Sequence, residues 1–562
     1  MKHCPECNRN YADPTLSFCL EDGSPLIFGS AVEGPAPSDP PSEAPTRQID
    51  PHTTAPTESF RIPDRARNES RSRRKLIWLI GGIAVVAAIA GFTAYHFVDT
   101  SSSNQIESVA VLPFENNSGD PNLDYLSDGL SESLIDKLSK LPRLKVISRN
   151  SSFKYRGAGL DLKDAAAKLG VRAIVTGTVS RIGDDLNVRV EMIDAREDRQ
   201  VWSDQYQAKV ADIISIQRQI AQEASQNLRA KLTGDDQQRF SRPDTTNTQA
   251  YESLAKARFF YSKGGWENRS KAIDLYLQAI SSDPSYALAY AELADLYAIS
   301  ANSGSLDPKE AVPKAEAAAQ TAVQLNPDLS EAHAALGYIR MNAWDWEAAR
   351  REFLQAIELN PNSTRAHDLY SGYLSDNGRH DEAIAESKRA VELNPLSLVS
   401  QMGLAGTLVA AGKPDEAIEV LNKAKQLDPN YPSAYTNLGY AYAAKNMHKD
   451  AVAAFREGMR IGGESTSTNI YIGASLARLG DWSGALATLK KVEGSKEYVS
   501  PGELAILFTA LGDREKALTT LERAYQEHDL QLKYLNVETG YDDLRSEPRF
   551  KELIRKVGLP ES

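Results

Sequence analysis

Apolar and polar positions follow three different rhythms along this chain. From 76 to 98 there is no alternation: LIWLIGGIAVVAAIAGFTAYHFV carries no charge, His96 counted as neutral. Between 105 and 232, short apolar runs mix with three-and-four spacing. SVAVLPF (108–114) reads as a strand ending at a proline. Leu126, Leu130, Leu134, Leu138 and Leu141 then recur as one face of a helix that stops at Pro142. LKVISR (144–149) is a second strand, and Asp161 opens a short helix that ends at Gly170. VRAIVTGTVSRI (171–182) turns at Gly183, Asp184 and Asp185 into an alternating run with Leu186, Val188, Val190 and Met192 on one face. A strand over 201–206 and a helix through Ile213, Ile216, Ile220, Ala224 and Leu228 complete the order β-α-β-α-β-β-β-α, a small α/β domain with a mixed sheet. From 249 to 560 the spacing is helical throughout and repeats itself. Prolines 327, 361, 395 and 429 fall 34 residues apart, with Ala315, Ala349, Ala383 and Ala417 twelve residues before them and Ala322, Ala356, Ala390 and Ala424 five before.

A 34-residue period of this kind is the helix-turn-helix unit of the tetratricopeptide repeat. The small residues let two helices approach closely, and the proline ends one unit and starts the next. Leu336-Gly337, Phe353, Leu438-Gly439, Tyr442 and Phe455 stand where that family places its packing residues. Weaker matches on both sides extend the array to about eight repeats, and 534–560 resembles the segment that closes such arrays.

The uncharged run changes where these domains are expected to lie. As a helix it spans roughly 35 Å, enough for a hydrocarbon core of about 30 Å. Seven basic residues between Arg61 and Lys75 precede it, and no Lys or Arg follows until Lys137. The positive-inside bias therefore implies a single-pass anchor in the inner (cytoplasmic) membrane, N-terminus cytoplasmic, with the later domains periplasmic or extracellular. Ala87 and Gly91 form a small-residue pair that would allow two copies to dimerise. Residues 27–75 hold eight prolines and no apolar periodicity, which reads as a disordered tether with a basic juxtamembrane end. Residues 1–98 carry 10 basic and 11 acidic side chains, so nearly all of the net charge of −12 falls after the run. Acidity of that degree argues against nucleic acid as a ligand of the exported part.

All three cysteines lie in the first 26 residues. Cys4-x2-Cys7 and Cys19 have the spacing of a structural zinc site, and Asp22 stands where a fourth sulfur would fall; His3 is the alternative fourth ligand. CPEC (4–7) and FCLEDG (18–23) resemble a short bacterial zinc ribbon, which implies a small metal-folded domain over 1–26.

A second resemblance covers about 125 residues. VAVLPFENNSGDPNLDYLSDGLSESLIDKL, VISRNSSFKY, LGVRAIVTGTVSRIGDDLNVRVEMIDA and VWSDQY are similar to the bacterial TolB amino-terminal-like domain, assigned here to 105–232. That resemblance implies a domain placed between a membrane helix and tetratricopeptide repeats, often behind a signalling module. No kinase or cyclase signature stands in that slot. The chain has no histidine between His96 and His333 and no cysteine after Cys19. The commonest general base and the thiol nucleophile are therefore missing from the α/β unit. Asn117-Ser118-Gly119-Asp120 reads as a strand-to-helix turn.

These readings give a multidomain chain: zinc ribbon (1–26), tether (27–75), transmembrane helix (76–98), α/β domain with mixed sheet (105–232), linker (233–248) and an all-α repeat superhelix (249–560). The expected function is a non-enzymatic, membrane-anchored scaffold for protein partners, in signalling or envelope assembly. The alternative is a one-component transmembrane regulator whose ribbon contacts DNA, RNA polymerase or a kinase. Stacked helix pairs present a concave face to an extended peptide or partner helix. Projecting the family's groove positions gives Tyr338, Met341, Asn342, Arg365, Asp368, Asp376, Thr436 and Tyr440. His333 and His367 fall at packing positions, and His380 and His448 in turns, none suggesting a metal.

Overall fold

The structure, a computed structural model, describes residues 2–3, 10–11, 27–28, 106–141, 143–157, 159–228, 243–302, 305–495 and 498–561. It divides into two compact units, Met1–Gly91 and Phe92–Ser562. In the first, β1 (Lys2–His3), β2 (Asn10–Tyr11) and β3 (Ile27–Phe28) form an antiparallel sheet in the order β2-β1-β3. The expected zinc ligands Cys4, Cys7, Cys19 and Asp22, and the expected membrane helix 76–98, lie outside the described residues. Among the described residues, no helix is long and apolar enough to cross a membrane.

The second unit begins with the mixed sheet. β4 (Ser108–Val111) lies between β6 (Lys145–Val146) and β7 (Ala173–Ile182), parallel to both. β8 (Asp185–Asp194) and β9 (Arg199–Lys209) continue it antiparallel, and β5 (Glu115–Asn116) pairs with the far end of β7. Alternation decides the two faces. Val109, Val111, Val175, Val188, Val190 and Met192 bury against α1 (Asp124–Ser139) and the closing helix α4 (Ile213–Asn227). Ala110, Leu112, Ile147 and Ile174 bury against α3 (Leu162–Leu169). Asp161 caps α3 by accepting from the Lys163 and Asp164 amides, and Gly170 ends it in the left-handed region at φ 64°. The strand expected over 144–149 is shorter than its sequence: only Lys145 and Val146 pair, and α2 (Arg149–Ser152) starts at once.

Eight helix pairs follow. They are repeat 1 (Thr248–Ser262, Trp266–Ser282), repeat 2 (Ala287–Asn302, Pro308–Leu325), repeat 3 (Ser330–Asn342, Trp346–Leu359) and repeat 4 (Thr364–Asp376, His380–Leu393). Then come repeat 5 (Leu398–Ala410, Pro414–Leu427), repeat 6 (Pro432–Ala444, His448–Gly462), repeat 7 (Thr466–Arg478, Trp482–Glu493) and repeat 8 (Pro501–Ala510, Arg514–Gln526). The periodic alanines 315, 322, 349, 356, 383, 390, 417 and 424 are all fully buried, so the period is a packing period. A closing segment of two 3-10 turns (Leu530–Tyr534, Thr539–Leu544) and a helix (Pro548–Val557) covers repeat 8.

The α/β domain and the repeats share a core. Tyr251 and Ala255 of repeat 1 belong to the cluster beneath α1 and α4. Residues 243–247, expected as the end of a linker, are held in place. Asp244 pairs with Lys137 at 2.9 Å, and Thr245 donates to Asp283 at 2.5 Å.

Candidate interaction site

Two inter-repeat loops carry polar side chains into the edge of the sheet. Asn362 follows Pro361 in the loop that ends repeat 3. Its side-chain amide donates to the carbonyls of Ser139 and Leu144, both at 2.8 Å, and its oxygen accepts from the Val146 amide at 3.3 Å. One side chain thus supplies the neighbour that edge strand β6 lacks. Asn360 donates to Ser139 Oγ at 3.0 Å. One repeat later, Asn394 accepts from Ser151 Oγ at 2.6 Å, and the Ser148 amide donates to the Leu393 carbonyl at 2.8 Å. Asn360, Asn362 and Asn394 are almost wholly buried, so each missing partner would leave a desolvated amide.

Above this seam lies a cleft of about 510 Å³ between α1 and α2 on one side and repeats 1–4 on the other. Arg258 bridges it. It pairs with Glu292 of repeat 2 and reaches Asp136 at 2.9 Å and Glu132 at 3.6 Å on α1. Arg149 pairs with Glu132 from below, and Arg365 with Asp295 at 2.7 Å. Each arginine has its acid, so these charges serve to fix the α/β domain on the array.

The groove positions projected from the sequence divide into groups. Tyr338 and Asn342 converge on one point, which holds Lys533 of the closing segment, and Asp376 is buried within reach of its charge. Its ammonium donates to Asn342 Oδ1 at 3.0 Å and lies 5.9 Å from the Tyr338 ring centre and 5.1 Å from that of Tyr534. Lys533 and Asp376 are each 3% exposed. Burial pushes the Asp376 carboxyl up to about 7, against the pull of Lys533. Met341 is buried beside them. Arg365 also lies over the Tyr338 ring, at 5.2 Å, while bound to Asp295. Asp368 accepts from Ser400 at 3.1 Å, and burial raises it to about 6. Tyr440 packs edge-on to Tyr471 at 4.6 Å. Thr436 is turned toward Gly458 in the second helix of its own repeat, 2.9 Å from where a Cβ there would lie, and does not join the others.

Repeats 4 and 5 keep the inner wall low. Gly372 and Gly406 stand at the position of Tyr338 and Tyr440 in the 34-residue period, and a Cβ at either would meet nothing within 4 Å. Gly403 is as open, with only Asp368 near it.

Lys533, Tyr534 and Trp344 escape a reading by pattern. A lysine in a polar closing segment looks like any solvated lysine. The Asn-Pro-Asn at 360–362 carried no distinguishing signal either, because Asn430 stands at the same place in an equivalent loop. His333 and His367 are structural. His333 bonds Glu352 at 2.6 Å and the Pro327 carbonyl at 2.8 Å, and His367 repeats this with Glu386 and Pro361. Among the described residues, no group of His, Cys, Asp and Glu side chains is arranged to hold a metal ion.

Known proteins resemble separate stretches of the chain. Residues 334–397, 407–446 and 432–461 match models of the tetratricopeptide repeat. Residues 104–223 match the HilA/YgeH-like transcriptional regulator, second domain. "Putative adenylate cyclase 3" of Rhizobium meliloti (strain 1021) is 33% identical over 186 residues, which is 33% of this chain and 32% of that protein. The chain thus spans about a third of the length of that curated relative. Among solved structures, Pseudomonas aeruginosa PilF is 21% identical, covering 38% of this chain and 96% of its own, with a TM-score of 0.30. PilW, a widely conserved type IV pilus biogenesis factor, is 17% identical over 38% of this chain and 96% of its own, at a TM-score of 0.32. The chain therefore carries tetratricopeptide repeats, joined to a domain built on a mixed sheet.

Proposed function

We propose that this chain is a non-enzymatic scaffold for protein partners, held to the inner membrane by one helix over 76–98. In this reading a structural zinc, held by Cys4, Cys7, Cys19 and Asp22, folds the cytoplasmic ribbon; three thiols and a carboxylate are a chemically sufficient donor set. The TolB-like domain and the repeats act across the membrane, in signalling or envelope assembly. The observation that carries the scaffold reading is the tetratricopeptide array itself, whose inner wall stays open at Gly372, Gly403 and Gly406. Stacked repeats of this kind present such walls to partner segments.

The test uses the full chain in detergent. A Gly406→Arg variant fills open space without displacing a neighbour and should fold as the parent does. Partners captured by the parent and lost by this variant support the scaffold. Identical capture by both removes the inner wall from the proposal. Protease added to permeabilised cells checks the topology: digestion of the repeats with survival of the ribbon is expected.

A second reading is a one-component regulator, and the match of 104–223 to a transcriptional regulator's second domain favours it. The ribbon and the basic run Arg61–Lys75 would then contact DNA, RNA polymerase or a kinase. A mobility shift by the 1–75 fragment at moderate salt would support it; no shift would remove the DNA version. The name of the cyclase relative invites a further check. Incubating the full chain with ATP and divalent metal should yield no cyclic AMP.

A further inference from the structure

We propose that Lys533 and the corner at Trp344 and Trp346 latch repeats 3–8 into a closed ring. The latch yields to a partner segment that carries a lysine beside an aromatic residue and puts it in Lys533's place. This rests on the reading that the repeats bind protein segments, and it names the chemistry of the segment.

Closure is uneven in kind. On one side the closing segment is welded to repeat 8. Leu532, Leu535, Tyr541, Leu544 and Phe550 are fully buried, and Tyr541 donates to the Gly502 carbonyl at 2.9 Å. On the other side the segment and the last helix of repeat 8 meet repeat 3 at the border of one apolar cluster, through a few contacts. Lys533 reaches Asn342; the Trp346 indole donates to the Val557 carbonyl at 2.8 Å; the Trp344 ring stacks on His528 at 3.8 Å and on Tyr525 at 5.7 Å. Parting these contacts leaves the segment seated on repeat 8 through Leu532, Leu535, Tyr541, Leu544 and Phe550.

The seat of Lys533 states what would replace it. An ammonium there meets an amide oxygen (Asn342) and an aromatic face (Tyr338), with the Asp376 carboxyl beyond ion-pair distance but still within its field. An apolar or acidic group would leave these unmatched. The neighbouring Tyr534 is 36% exposed, so an aromatic residue beside the lysine has room at the same place.

The experiment uses the full chain and a fluorescent peptide of residues 526–540, QEHDLQLKYLNVETG, as the probe. The parent chain should bind it weakly, its seat being filled. Lys533→Met keeps the length of the side chain and empties the seat of charge; it should bind the peptide at least tenfold more tightly. The gain should vanish when the peptide carries methionine in place of its lysine, or when Asp376→Asn is added to the variant. Lys533→Arg should behave as the parent. Should Lys533→Met lose its circular dichroism, Trp344→Ala opens the other end of the latch and should give the same gain. Equal affinity of parent and variants, or a gain indifferent to the peptide's lysine, would overturn the proposal. Because the probe is the chain's own sequence, this result stands apart from partner capture. A positive peptide result with no partner lost on Gly406→Arg would remove the inner wall from the scaffold reading and leave the latch.

Discussion

His333 shows how much a single ring can decide. The Pro327 carbonyl only accepts, so Nε2 must carry a proton; Nδ1 faces the Glu352 carboxylate at 2.6 Å and carries another. Burial alone would lower the imidazole's pKa, but the bonds to Glu352 and Pro327 raise it above its ordinary value of 6.5. A group raised in the folded state contributes stability below its unfolded pKa and loses it as pH rises through the folded one. Melting temperature should therefore fall from pH 6.5 upward, and less steeply in His333→Gln. Parallel curves for the two proteins would remove the imidazolium from the stability of repeat 3. The sequence placed His333 and His367 at packing positions without revealing their bonds. Glu352 lies 19 residues away on another helix, and the mark left in the sequence is that both members recur one 34-residue period later as His367 and Glu386.

At the scale of elements, alternation and the 34-residue period were legible because each reports burial directly. The helix through Leu126 to Leu138, the hairpin turning at Gly183 and the alanine pairs all stand where the pattern puts them. Strand β6 was legible over 144–149 but its partner was not, because its second neighbour is the side chain of Asn362, 216 residues away. Asn362→Ala removes that neighbour and leaves the Leu144 carbonyl and Val146 amide of the edge, and the Ser139 carbonyl at the end of α1, without this partner. It should cost about 1–3 kcal/mol and speed hydrogen exchange at Val146, with the repeats unchanged. Protection at Val146 equal to the parent's would show that the seam does not depend on the asparagine. Gly177 is a harder constraint inside the sheet. A Cβ there would lie 2.4 Å from the Arg189 carbonyl of the paired strand β8, and backbone cannot step aside as a side chain can. Gly177→Ala should therefore unfold the α/β domain at a lower temperature than the repeats, splitting one calorimetric transition into two. A single unshifted transition would contradict this.

Over the whole molecule, the groove projected from the sequence proves to be partly filled by the chain itself, with acids gathered along it. Burial raises Asp376 and Glu503 to about 7 and Asp368 to about 6, and it raises Glu538 as well. Glu503 accepts from Ser467 at 2.7 Å, and Glu538 from the Gly540 amide at 2.8 Å, but neither bond offsets the loss of water. Raised carboxyls have the same sign as His333: they favour the closed fold while protonated and oppose it once ionised. Their window is lower, from the ordinary carboxylate range up to about pH 7. Asp376 is the sharpest probe, because it is the most deeply buried of those given a value and faces the latch. A shift from 3.8 to about 7 corresponds to roughly 3–5 kcal/mol between its two charge states. Asp376→Asn cannot ionise. It should melt like the parent at pH 4 and well above it at pH 8, so that the difference opens across the window and then levels. Scanning calorimetry of the two proteins from pH 4 to 8 measures this. A difference that stays constant with pH would mean that Asp376 keeps its ordinary pKa, and with it that water reaches the seat of Lys533. Closure of the ring would then have no electrostatic cost at neutral pH, and the lysine latch would be an ordinary surface contact.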